Sequence, residues 1–200
     1  MDESELYNYL GKLTREKDKW KDSIPFLLSL LDNGSDKIKA KALWLLGETG
    51  LAYPMSIRDG VDNVASFLDS DVPLLRERAN NALGRIGRGN FKLIEKHWIK
   101  LFRFAEDDES KVRLSFIWAS ENIATNTPAI YKDYMEVFGK LLHDENEKVR
   151  MEAPEIFRVL GKSCPQYVRP YREVLKELSE TDNNRVVRIH CLGALKRIDM

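Results

Sequence analysis

Apolar residues recur along this chain in two registers that repeat together. Leu27, Leu30 and Leu31 fall on one helical face, a short polar run follows, and Ile38, Ala42, Leu45, Leu46 and Thr49 then keep i, i+4, i+7, i+8, i+11 spacing. This is the period of an amphipathic helix, not the alternation of a strand. The predicted unit is therefore a helical hairpin, and its columns return down the chain. Leu27, Val64, Leu101, Phe138 and Leu175 form one, and Leu30, Phe67, Phe104, Leu141 and Leu178 a second. In the second helix, Ala42, Ala79, Phe116, Ala153 and Cys191 align, as do Thr49, Ile86, Ile123, Leu160 and Ile198.

A basic column fixes the register: Lys39, Arg76, Arg113, Arg150 and Arg188 are separated by 37, 37, 37 and 38 residues. Each follows an aliphatic residue, namely Ile38, Leu75, Val112, Val149 and Val187. Six positions earlier stand Asn33, Ser70, Asp107, Asp144 and Asp182, all hydrogen-bond acceptors, in hydrophilic turns that offer N-caps to the second helix. The glycines Gly47, Gly50, Gly84, Gly87 and Gly161, with Pro54, Pro128 and Pro165 nearby, are read as helix terminators. The extra residue of the last repeat falls between Leu178 and Arg188, in a turn that tolerates insertion.

These residues carry a resemblance. LLRERANNALGRIG at 74–87 and LLHDENEKVRMEAPEIFRVLG at 141–161 are similar to the HEAT repeat, with its leucines, turn Asp, Val-Arg, Ala, Ala-Leu and Ile-Gly. The fold class implied is all-α, an α–α superhelix: a right-handed solenoid of about five HEAT-like hairpins in one domain over residues 1–200. A polar N-terminal helix within 1–21 caps it, with Leu6, Tyr9, Leu10 and Leu13 available to cover the first repeat. The repeats run about 22–54, 55–90, 91–127, 128–165 and 166–200. Armadillo units need a third helix and tetratricopeptide units a period of about 34 residues, so both fit less well. The third repeat departs most, with Phe116, Glu121 and Ala124 where its neighbours have small residues or glycines; a longer second helix or altered curvature is expected there. The family also commonly ties the turn with an Asp-to-Arg contact. That makes Lys39, Arg76, Arg113, Arg150 and Arg188, with Asp107, Asp144 and Asp182, a structural turn ladder, each exposed pair stabilising by well under about 1 kcal/mol.

Composition suits a soluble, cytoplasmic domain: 43% hydrophobic residues and 32% charged. Acidic and basic residues balance at 32 each, so no whole-chain field favours nucleic acid or an anionic membrane. The polar N-terminus does not read as a signal peptide, and apolar runs are too short for a membrane span. Cys164 and Cys191, 27 residues apart without histidine partners, indicate neither zinc nor a disulfide framework. No cofactor is expected.

Removing the core columns leaves a stripe on the outward side of the second helices, which in this family lines the concave face. It reads Lys41, Trp44, Glu48; Arg78, Asn81, Arg85; Ser115, Trp118, Asn122; Glu152, Glu155, Val159; His190, Gly193, Arg197. Trp44 and Trp118 occupy one repeat position two units apart, about 20 Å at ordinary helix spacing. Tryptophan and arginine are frequent binding hot spots. Trp44, Arg78, Asn81, Arg85, Trp118 and Asn122 are therefore the candidate contacts for a protein or peptide partner, with indoles folded over the inter-helix seam as the alternative. Trp98, in a column with Ile24, Val61 and Met135, is assigned to the core.

Catalysis finds little support. HEAT-like metal enzymes such as deoxyhypusine hydroxylase use His-Glu pairs, whereas His97, His143 and His190 are followed by Trp98, Asp144 and Cys191. No metal site is expected. The alternative function is DNA binding in the concave groove, resembling the HEAT-like alkylpurine glycosylases, which use Trp, Asp and Arg there; zero net charge and the acidic Glu152 and Glu155 count against it. The last helix shows Ile189, Leu192, Leu195 and Ile198, offering weak end-to-end self-association unless Lys196, Arg197 and Asp199 keep that face solvated.

Overall fold

A computed structural model describes residues 1–198, and every regular element among them is helical. The chain is all-α and divides into two compact units, Met1–Leu101 and Phe102–Met200. The division falls inside the third expected repeat. Asp199 lies outside the described residues.

The first unit holds α1 (Glu3–Leu13), α2 (Ile24–Asn33), α3 (Asp36–Ala52), α4 (Val61–Ser66), α5 (Pro73–Gly89) and α6 (Glu95–Trp98). Asp2 and Glu5 start α1 as a reciprocal capping box, Glu5 N–H donating to Asp2 Oδ1 at 2.8 Å and Asp2 N–H to Glu5 Oε2 at 3.0 Å. Leu10 and Leu13 bury completely, and the Trp20 indole N–H donates to Leu13 O at 2.8 Å, tying the end of α1 to the segment that leads into α2. Tyr9 meets the first repeat through its ring, set edge-on to Phe26 of α2 at 5.9 Å, while the side chain stays 39% exposed. Leu27 and Val64 are fully buried, while Leu30 and Phe67 are only half-buried because Leu31 and Leu68, one residue on, take the deep positions.

The glycines do not stop the helices. α3 runs through Gly47 and Gly50, and α5 through Gly84 and Gly87. A Cβ on Gly47 would lie 2.7 Å from Ala82 Cα, and one on Gly50 would strike Ile86 Cγ1. Their missing side chains let α3 and α5 approach closely. Termination comes instead at Tyr53, Asn90, Thr127 and Cys164, whose φ of −134°, −159°, −135° and −137° with positive ψ leave the helical region. Tyr53, Thr127 and Cys164 each precede proline, which disfavours helical geometry in the residue before it. Asn90 lacks that proline and accepts from Lys92 N–H at 3.1 Å, an Asx turn with the same effect.

The second unit holds α7 (Ser110–Asn126), α8 (Met135–Leu141), α9 (Glu147–Ser163), α10 (Pro165–Val168), α11 (Arg172–Thr181) and α12 (Arg185–Ile198). The expected longer second helix of repeat three is absent: α3, α5, α7 and α9 are all 17 residues. What differs is the first helix, reduced to the 4 residues of α6 and followed by a 3₁₀ run, Ile99–Glu106. Phe116, standing in the small-residue column, is accommodated by an aromatic cluster. It stacks on Phe138 at 5.2 Å and 4°, while Phe102 meets it edge-on. Trp98 is not core; it is half-buried, edge-on to Phe91 at 5.9 Å, and Ile99 beside it is 52% exposed.

Candidate interaction surface

Close packing of α3 on α5 brings one row from each helix onto a shared face of the first unit. Trp44 lies half-buried on α3, with Lys41 Nζ 5.2 Å and the Arg85 guanidinium 5.8 Å from its ring centroid. Arg85 Nε also pairs with Glu48 Oε1 at 2.7 Å, which holds the guanidinium beside the indole. The indole N–H itself bonds to none of the described residues, and neither does the Asn81 side chain.

One turn further back along each helix stand residues outside the sequence stripe. Lys37 and Leu74 lie four residues before Lys41 and Arg78, and both face a groove of about 260 Å³ lined also by Tyr7, Ala40 and Trp44. Lys37 Nζ sits 4.2 Å from the Tyr7 ring and Lys41 Nζ 6.0 Å from it. Neither ammonium pairs with a carboxylate among the described residues, while Arg78 has Glu77 at 3.7 Å. At that volume the groove falls below the roughly 300–1,000 Å³ usual for small-molecule and cofactor pockets. It suits a protruding side chain.

In the second unit, Trp118 stands 37% exposed on α7. Asn122 spends a donor on its own helix, Nδ2 to Trp118 O at 2.9 Å. Ser115 leaves the expected stripe: it is fully buried and its hydroxyl donates to Val112 O at 2.7 Å. Below Trp118 on α7, Glu121 faces Glu152, Glu155 and Arg158 of α9. Burial first, then the charges of Glu152 and Glu155, push its carboxyl up to about 8, against the opposing pull of Arg158. Arg158 bonds Glu155, which holds its guanidinium above the usual range, and His190 of α12 reaches Met151 O at 2.6 Å and Glu155 Oε1 at 3.6 Å. Ile189 and Leu192 of α12 are 50% and 48% exposed.

The basic column has a different geometry from the one expected. Six residues upstream each arginine meets a backbone carbonyl, not a side chain: Arg76 to Ser70 O at 2.9 Å, Arg113 to Asp107 O at 2.8 Å, Arg150 to Asp144 O at 2.8 Å, Arg188 to Asp182 O at 2.6 Å. The carboxylate partner comes from the following repeat. Arg113 grips Asp144 through Nε and Nη2, and Arg150 reaches Asp182 at 3.2 Å. Asp144 and Asp182 also accept from Asn146 N–H and Asn184 N–H at 2.8 and 2.7 Å, so each carboxylate closes its own turn while binding its neighbour. Lys39 has no planar fork to do this and lies over the Phe67 ring at 5.9 Å.

Among the described residues no group of three or more His, Cys, Asp or Glu is placed to hold a metal ion, and no helix is long and apolar enough to cross a membrane. The family described as sister chromatid cohesion protein PDS5 matches residues 24–198. No curated protein matches the sequence. Among solved structures, a computationally designed armadillo repeat protein for modular peptide recognition aligns with TM-score 0.65 at 20% identity, over 98% of this chain and 94% of its own. An archaeal HEAT-like repeat protein from Thermococcus onnurineus NA1 gives 0.64 at 13% identity, over 96% and 79%. A structure of the Pds5–Scc1 complex gives 0.61 at 17% identity, over 92% of this chain and 30% of the other. At these identities the structural likeness shows the fold, a HEAT/armadillo-class helical repeat.

Proposed function

Since the chain belongs to the family of sister chromatid cohesion protein PDS5, we propose that it is a non-enzymatic scaffold that holds a partner protein or peptide against the α3–α5 face of its first unit. The observation that carries this reading is the groove beside Trp44. There an indole N–H with no acceptor and two ammonium groups with no carboxylate partner among the described residues border Ala40 and Leu74. Tryptophan and arginine are the side chains that most often carry binding energy at protein interfaces, and Trp44 and Arg78 both border this open groove. A designed peptide binder and a Pds5–Scc1 complex among its structural neighbours support a protein or peptide as the partner class. Trp118 and Asn122 form a second, separate candidate contact on α7, and Asn81 and Arg85 flank the first. The repeats span about 22–54, 55–90, 91–127, 128–165 and 166–200.

The test is affinity capture with the wild-type chain and with Trp44→Ala/Arg78→Ala, folding being checked by thermal melting. Proteins retained by the wild type should be lost from the variant. Identical capture by both would refute the surface. Duplex DNA binding that falls steeply with salt would point instead to a nucleic-acid groove.

A further inference from the structure

Resting on that reading, we infer that the occupant of the groove is an acidic peptide segment, its carboxylates flanking one aliphatic or aromatic side chain. The lining joins three cations, Lys37, Lys41 and Arg78, to Tyr7, Trp44 and Leu74, and contains no carboxylate. Tyr7 belongs to α1, so the helix that precedes the first repeat forms one wall of the site. Lys37 and Lys41 lie on successive turns of α3 and rest against aromatic faces. A ring face attracts an ammonium without using up its three N–H donors, which remain available to carboxylate oxygens. Arg78 approaches from α5, with Glu77 at 3.7 Å. Leu74, 38% exposed, and the half-buried indole supply apolar contact for a single anchoring side chain.

Charge and volume together select the partner. A basic segment would meet three like charges, and a neutral one would desolvate the ammonium groups without replacing their hydration. An oligonucleotide needs a basic track along its backbone, but beside this groove Glu48 and Glu77 interrupt the positive surface. A compact acidic segment with one apolar anchor matches both the cations and the cavity.

The experiment uses the full chain and fluorescence anisotropy with a short peptide of Asp and Glu residues around a central Leu. Its Asn/Gln counterpart and a thymidine oligonucleotide of equal length serve as comparison probes. The acidic peptide should bind about tenfold tighter than the amide peptide and than the oligonucleotide, and Lys37→Glu/Lys41→Glu should weaken it by at least about tenfold. Lys37→Arg/Lys41→Arg should retain binding. Equal affinity for acidic and amide peptides, indifference to charge reversal in a variant with unchanged melting, or tighter binding of the oligonucleotide would overturn the assignment. If both peptides bind equally and both are lost in Trp44→Ala, the acidic class fails while the docking surface stands. If the acidic peptide binds unchanged to Trp44→Ala/Arg78→Ala, the surface itself fails.

Discussion

Arg113 and Asp144 form a two-pronged ion pair across adjacent repeats, Nε to Oδ2 at 2.7 Å and Nη2 to Oδ1 at 2.8 Å, with side-chain exposures of only 9% and 7%. The bond to Asp144 holds the guanidinium above its usual range. Removing one partner leaves the other charge desolvated and unmatched, so Arg113→Ala should destabilise the fold by about 3–5 kcal/mol. Arg150→Ala, whose side chain is 22% exposed, should cost less. Urea unfolding of both variants checks the ordering. A loss below about 1 kcal/mol at Arg113 would return the pair to the class of exposed surface bridges.

Gly47 illustrates a second constraint. Alanine normally improves a helix interior by up to about 1 kcal/mol relative to glycine. Here the added Cβ would lie 2.7 Å from Ala82 Cα, backbone that cannot move without separating α3 from α5. Gly47→Ala should therefore destabilise by about 1–3 kcal/mol despite the better propensity. At Gly193 the nearest atom is Arg158 Cδ at 3.6 Å, and the same substitution there should be neutral or stabilising. Thermal melts should show a lowered Tm for Gly47→Ala and an unchanged or raised one for Gly193→Ala.

Thr49 stands in a column otherwise filled by Ile86, Ile123, Leu160 and Ile198. It is fully buried, and its hydroxyl has no hydrogen-bond partner. Thr49→Val keeps the shape and removes an unsatisfied polar atom, which should stabilise by about 1 kcal/mol and raise Tm by about 2–4 °C. An unchanged or lowered Tm would show that the hydroxyl is satisfied in solution.

The period alone was enough to recover the hairpins, their register and the face bearing Trp44, Arg78 and Arg85. Extending that stripe one turn toward each helix N-terminus would also have reached Lys37 and Leu74, which share a column. Tyr7 was beyond reach because α1 is outside the repeat and its contact with Lys37 depends on tertiary docking. The glycines misled because the same residue serves as a helix stop and as a point of close approach; Tyr53, Thr127 and Cys164, each before proline, were the stronger stop signals. In the ladder, the columns of Arg and Asp were visible, but the turn's path decides that a carboxylate serves the preceding repeat's arginine.

Glu121 gives the pH dependence its sign. In the folded chain its carboxyl is pushed up to about 8 from an ordinary value of 4.5, by burial and then by Glu152 and Glu155, with Arg158 opposing. His190 joins the same surroundings from α12 through its contact with Glu155. Between those two values the native state holds a proton that the unfolded chain has released, so stability falls as pH rises. The contribution is complete below 4.5 and is lost as pH climbs through about 8; the slope is at most about 1.4 kcal/mol per pH unit. Glu121→Gln keeps the shape and cannot ionise. It should match the wild type near the acid end of this window, exceed it increasingly toward the alkaline end, and plateau above it. Chemical denaturation across the window measures this directly, and parallel profiles for the two proteins would show that Glu121 ionises as an ordinary carboxylate.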